Sequence, residues 1–149
     1  MRKDERIEFL RRVWLFERCS NKELALLATN TTPLHVKAGS VLAREGDIGR
    51  EFFVVVSGKA IVSRNGIEIG VLGAGSFFGE MALLDREPRS ATVTASEPSE
   101  VLVLTAQAFT NVVDTMPSVD RKMLTVLASR LRDVEAKYLP ENERLLARH

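Results

Sequence analysis

The chain has 149 residues, and its 21 Lys plus Arg stand against 20 Asp plus Glu for a formal charge of +1. That balance removes any whole-molecule electrostatic case for a polyanion partner such as DNA. Apolar residues at 45% and charged residues at 28% describe one soluble globular domain with its own core, not a disordered segment. The single cysteine, Cys19, cannot form an intramolecular disulfide or a structural zinc site, and His35 and His149 are separated by most of the chain. Metal and haem chemistry therefore has no ligand set, and a reducing, cytoplasmic compartment is expected. No run approaches the roughly 18 uninterrupted apolar residues that a membrane span requires.

From the N-terminus, Ile7, Leu10, Val13 and Trp14 recur at helical spacing, and Ser20-Asn21-Lys22-Glu23 forms a capping box ahead of Leu24, Leu26 and Leu27. Two short helices are predicted within residues 5–28, with Trp14 and Phe16 packing this cap. From about Thr31 the pattern changes to short β-branched or aromatic runs punctuated by glycine. All nine glycines fall between Gly39 and Gly79. The run Phe52 to Val56, then Ala60 to Val62, then Asn65-Gly66 before Ile67 to Ile69 reads as strand, turn and hairpin. A further strand pair is predicted from Ser90 to Thr94 and Val101 to Leu104, with Glu97-Pro98 as its turn. Evenly spaced short strands suggest a closed or rolled antiparallel sheet.

Helical spacing returns over Ala106 to Asp114, Pro117 interrupts it, and a long helix is predicted from Ser118 to Tyr138. Leu124, Leu127, Leu131, Val134 and Tyr138 follow intervals of three and four. That seam is about two heptads long, too short to hold a dimer by itself, and it leaves two readings open: packing onto the roll or a homodimer. Pro140 is expected to stop the helix.

The segment from Gly75 to Val93 carries the chemistry. A glycine turn opens into a short apolar run able to form one helical turn, whose free N–H groups make a cradle for an anion. Glu80 stands in its opening and Arg89 follows nine residues later. A carboxylate accepts hydrogen bonds from sugar hydroxyls and a guanidinium donates to phosphate oxygens, so the two together describe a ribose phosphate. The glycines from Gly73 to Gly79 do not make a dinucleotide fingerprint, because the third is one residue late and strands surround it.

Phe78-Gly79-Glu80-Met81-Ala82-Leu83, a variable loop, and Pro88-Arg89-Ser90-Ala91-Thr92-Val93 resemble the phosphate-binding cassette of the cyclic nucleotide-binding domain family. Catabolite-activator-type regulators, cyclic-nucleotide-dependent kinases and cyclic-nucleotide-gated channels share that domain. Gly39, Gly46-Asp47, Phe53-Val54-Val55 and Gly58 fit its β-roll pattern, and the resemblance runs from about Trp14 to Tyr138. It implies a mainly β fold with flanking helices: an antiparallel β roll (a double-stranded β-helix, jelly-roll-like) with N-terminal helices and a C-terminal hinge and lid helix. The implied divisions are a helical cap at 1–30, the roll at 31–105 with its cassette at 75–93, hinge and lid helices at 106–138, and a tail at 139–149.

The resemblance further implies that Glu80 binds the ribose 2′-hydroxyl and that Arg89 pairs with the cyclic phosphate. Gly79 lets the backbone approach, Met81 belongs to the cassette, and the N–H groups of Ala82 and Leu83 complete the cradle. Ser90 sits beside the phosphate and base, and Arg130, Leu131 and Val134 are the lid candidates. The ligand implied is cAMP or cGMP, with no cofactor and no catalytic residue. Binding is expected to draw the cassette inward, with the break at Met116-Pro117 hinging the long helix over the base. Ser76 departs from the family, which commonly has an acid there. Only eleven residues follow Tyr138, so no helix-turn-helix DNA-binding domain is expected in this chain; the expected partner is an effector protein or a second copy. Two other classes compete. A metal-dependent cupin-type enzyme needs clustered histidines that this chain lacks. A structural or partner-binding domain with a degenerate pocket would have lost Glu80 or Arg89, and both are present.

Overall fold

A computed structural model describes residues 1–138. Its helices are α1 (Lys3–Arg11), α2 (Asn21–Thr29), α3 (Glu80–Asp85), α4 (Ala106–Thr115) and α5 (Pro117–Tyr138). A single 3-10 turn, Trp14–Phe16, joins α1 to α2. Eight strands follow the order β1 (Thr32–Val36), β2 (Val41–Ala43), β3 (Glu51–Ser57), β4 (Ala60–Arg64), β5 (Ile67–Leu72), β6 (Phe77–Phe78), β7 (Thr92–Ala95) and β8 (Ser99–Thr105). They form two antiparallel four-stranded sheets, β1-β8-β3-β6 and β2-β7-β4-β5. The expected β roll with flanking helices is the fold. The expected tail at 139–149, with its Pro140 stop, lies outside the described residues.

The capping box forms as expected: Glu23 N donates to Ser20 Oγ at 3.1 Å while Ser20 N donates to Glu23 Oε1 at 2.8 Å. The Asn65-Gly66 turn also forms, with positive φ at both residues (53° and 77°), which suits the twist of a two-residue hairpin joining β4 to β5.

The other predicted strand pairing does not. β7 and β8 do not pair with each other; β8 pairs with β3 and β1, and β7 with β4 and β2. The link through Glu97-Pro98 is a corner between sheets, and so is the Gly58-Lys59 link between β3 and β4. The two corners lie together: Ser96 N donates to Lys59 O at 2.9 Å, and a Cβ on Gly58 would stand 2.1 Å from Ser99 Oγ. One long antiparallel ribbon, β3-β4 against β7-β8, thus crosses from sheet to sheet at a single fold line, and that crossing makes the roll.

Strand β3 is apolar on both faces because each face meets a different core. Phe52 and Val54 point to the helices, packed with Leu10, Leu24, Phe109 and Met123, whereas Phe53 and Val55 point into the roll with Phe78, Val93 and Val101.

Helix α5 presents a different face from the one its leucines suggest. Val119, Lys122 and Met123 are buried, and Leu127 is half-buried. Leu124, Leu131 and Val134 are exposed at 67%, 60% and 52%. The seam therefore does not pack onto the roll. Lys122 explains the rotation. Its stem is buried while Nζ donates to the Trp14 carbonyl, lies 4.7 Å above the Trp14 ring and pairs with Glu17 at 2.8 Å. Trp14 is accordingly 44% exposed, a platform for the ammonium, while Phe16 is buried in the cap as predicted. The Met116-Pro117 junction is packed as well: Met116 is buried and its carbonyl accepts from Val119 N and Asp120 N. Helix α5 thus starts from a packed junction. Met123→Ala should lower stability by about 2–5 kcal/mol in urea unfolding, while Leu124→Ala should stay within about 0.5 kcal/mol. The reverse order would place the leucine seam against the core.

Candidate functional site

The sequence around α3 builds a pocket at the open end of the roll. Gly79 ends β6 with φ of 99°, a left-handed conformation that turns the chain directly into α3. A Cβ there would meet Arg89 Nη1 and Glu51 O, both at 2.7 Å. Gly49 is required for a second close approach, since its Cβ would fall 2.6 Å from Ala82 Cβ and 3.2 Å from Arg89 Cζ. Both glycines make room for the same guanidinium.

Arg89 is held by its backbone and by one side-chain bond. Its N donates to Asp47 O at 2.7 Å, its carbonyl accepts from Gly46 N at 2.9 Å, and neighbouring Pro88 bridges Ile48. Nη2 donates to Glu51 O at 2.7 Å, whereas Nη1 is buried with no hydrogen-bond partner. Burial pushes the Arg89 pKa down from its ordinary value, opposed by the nearby Glu51 and Glu80 carboxylates. A guanidinium taken out of water with a donor unused is an electrostatic demand for an anion.

Glu80 opens α3 and is 2% exposed. Its Oε1 has no aligned hydrogen-bond donor, and its charge partner is Arg130 of α5, whose Nη1 lies 2.5 Å away.

The cavity holds about 390 Å³. Of the residues expected at the site, Gly79, Glu80, Met81, Ala82, Arg89, Ser90 and Arg130 line it. Leu83 does not: its side chain packs against the helical core. The structure does not bring Leu131 and Val134 to the cavity, and both are exposed on α5. Sequence reasoning missed Arg64, which lines the cavity and whose Nε donates to Ser90 O at 2.9 Å. It also missed Phe78 as the floor, stacked on Phe53 at 4.7 Å. No local motif marks Arg64, because it reaches the cassette from β4 across 26 residues. Among the described residues no cluster of His, Cys, Asp or Glu could hold a metal ion, and no helix is long and apolar enough to cross a membrane.

An antiparallel roll with a buried, part-satisfied arginine and a buried acid in one cavity is a ligand-binding domain for a small anion bearing hydroxyl groups. The pattern of the cyclic nucleotide-binding domain matches residues 33–116, and the chain belongs to that family. It is 41% identical over 93 residues to a cGMP-dependent protein kinase of Toxoplasma gondii, covering 62% of this chain and 9% of that protein. It is 36% identical over 105 residues to a cyclic nucleotide-gated potassium channel of Rhizobium etli, covering 70% and 29%. The chain thus spans less than a third of these relatives. Among solved structures, the regulatory domain of Toxoplasma gondii PKA with cAMP superposes with a TM-score of 0.78 at 27% identity, over 87% of this chain and 50% of that one.

Gly79→Ala should destabilise the fold by about 1–3 kcal/mol, through strain at positive φ and displacement of the Arg89 guanidinium. Gly70→Ala, on the same cavity wall with nothing within 4 Å of its Cβ, should stay within about 0.5 kcal/mol. Equal urea midpoints for the two variants would show that the turn tolerates a side chain.

Proposed function

We propose that this chain is the cyclic-nucleotide sensor module of a signalling protein, binding cAMP or cGMP in the roll and reporting occupancy through α5. The observation that carries the reading is the buried Arg89 guanidinium with its unpartnered Nη1, in a cavity shared with buried Glu80. In this reading Arg89 pairs with the cyclic phosphate, the N–H groups of Ala82 and Leu83 complete the cradle, and Gly79 and Met81 border it. Glu80 accepts a hydrogen bond from the ribose 2′-hydroxyl, and Ser90 stands beside phosphate and base. Arg130, Leu131 and Val134 form the lid set. Arg130 already borders the cavity, and Leu131 and Val134 reach the base only when the distal half of α5 moves.

The division of labour follows the fold: residues 31–105 bind, with 75–93 as the cassette, 1–30 cap the roll, and 106–138 supply the hinge and lid helices. The module carries out no reaction on its ligand. It works in the cytoplasm, and its signal passes to an effector protein or to a second copy through the exposed seam of α5. The mechanism is a population shift, in which the ligand stabilises the α5 arrangement it contacts best.

Either cAMP or cGMP should raise the melting temperature, because a ligand that binds only the folded state adds about 2.7 kcal/mol at a hundredfold excess over Kd. No shift with either nucleotide contradicts the sensor reading. Arg89→Ala should weaken binding by about 2–5 kcal/mol in calorimetry. The wild type should discriminate against the 2′-deoxy nucleotide, and Glu80→Gln should lose most of that discrimination. Wild-type affinity retained by Arg89→Ala would place the phosphate elsewhere.

A further inference from the structure

We infer that Arg64 reads the base: it selects a purine that presents a carbonyl and a ring nitrogen side by side, so the nucleotide this site prefers is cGMP over cAMP. The inference rests on the cyclic-nucleotide reading of the cavity and names which nucleotide that cavity takes. The cavity has two unlike parts. Around α3 it is polar, with Glu80 and Arg89 buried beside Gly79 and Ala82, and in that reading these groups account for ribose and phosphate. The wall supplied by β2, β4, β5 and β7 is apolar through Ala43, Val62, Ile69, Leu72 and Val93. A planar base on a ribose held at Glu80 has that wall to lie against.

Among the described residues Arg64 is the charged side chain on that wall. It ends β4, opposite Ile67 at the turn of the β4–β5 hairpin, and like Val62 it lines the cavity. Nε donates to Ser90 O at 2.9 Å, which fixes the guanidinium against the residue that follows Arg89. Among the described residues Nη1 and Nη2 have no hydrogen-bond partner, so a planar pair of donors is held in place and left unused. Gly70 of β5 pairs with Val62, and nothing stands within 4 Å of the position its Cβ would take. The wall beside Arg64 therefore has room for a ring.

Two parallel N–H donors match two adjacent acceptors. Guanine offers them as O6 and N7, whereas adenine sets an amino group beside N7, so that donor faces donor. The other polar side chains of the cavity do not reverse this. The Ser90 hydroxyl serves either base, Arg130 only donates, Arg89 faces the phosphate, and Glu80 is paired with Arg130 on the ribose side. The amino group of adenine thus finds no carboxylate or amide to receive it, and a donor left unmatched is what makes a hydrogen-bonding site selective.

The test is calorimetry on this chain with cGMP, cAMP and cIMP, whose hypoxanthine keeps O6 and N7 but lacks the 2-amino group. Wild type should bind cGMP and cIMP within about threefold of each other, and each about tenfold more tightly than cAMP. Arg64→Gln should bring the ratio of cGMP to cAMP affinity to about one or below, since a side-chain amide carries a donor for N7 and an acceptor for the adenine amino group. The ratio is read within each protein, so a general loss from the broken Ser90 bond cancels.

A wild type that binds cAMP as tightly as cGMP overturns the inference and leaves the cyclic-nucleotide reading standing. So does a wild type that binds cIMP as weakly as cAMP, which would put the selection at the 2-amino group. Equal weakening of all three ligands in Arg64→Gln would make Arg64 a phosphate contact or a clip on the cassette, and overturns it as well. If the wild type binds none of the three, the cyclic-nucleotide reading fails and this inference with it.

Discussion

The molecule is organised around one guanidinium held out of water. Arg89 is 9% exposed, and keeping it there demands contributions from parts of the chain far apart in sequence. The loop before β3 grips its backbone, the Glu51 carbonyl takes one of its donors, and Gly49 and Gly79 clear the space its side chain fills. The hydrogen bonds offset part of the desolvation, and the donor left unused is the part they do not offset. Burying a cation with one donor unused makes sense only for a partner that arrives from outside.

The roll supplies the place for such a partner because its strands change sheets in pairs. β3 and β8 leave one sheet as β4 and β7 enter the other, so the cassette between β6 and β7 closes over the mouth of the barrel. Strand β3 then joins the ligand cavity to the helices. Phe53 stacks on the cavity floor residue Phe78, while adjacent Phe52 stacks on Phe109 of α4 at 4.9 Å. One strand thus packs against the cavity floor on one face and the helical layer on the other. Packed contiguity supplies only a route, and coupling also requires an element with two arrangements. In the proposed mechanism that element is the distal half of α5, which follows a packed start.

Much of the site was legible because its chemistry is local in sequence. Gly79, Glu80 and Arg89 fall within eleven residues, and the types at those positions specify a turn, an acceptor and a donor. The sheet order was not legible, because a strand's partner is chosen by contacts dozens of residues away: Glu97-Pro98 looks the same as a hairpin turn or as a corner between sheets. The face that α5 buries was not legible for a different reason. Leucine at intervals of three and four left packing and a homodimer both open, and the buried stripe runs instead through Val119, Lys122 and Met123, in which the decisive residue is a lysine. A buried lysine carries no apolar signal, and its partner, the Trp14 carbonyl, is backbone. Arg64 and Gly49 were missed because their importance lies in what they approach.

The buried acid and the buried arginine share a cavity, yet among the described residues no ion pair joins them. Had they paired, each would have neutralised the other and the cavity would have been electrostatically complete. The Gly79 turn places Glu80 on α3, and the β2–β3 loop fixes Arg89 at the head of the next strand. Arg89 is left with a neutral backbone carbonyl in place of a carboxylate, and Glu80 with an arginine borrowed from a distant helix. The two provisional partners differ in kind. The carbonyl is part of the frame and stays, so the unused donor on Arg89 is a permanent demand for an anion. Arg130 belongs to a separate helix, so the charge balance at Glu80 is set by where α5 packs. The cavity thus carries one polar requirement fixed by its own frame and another met by a side chain brought from outside the roll.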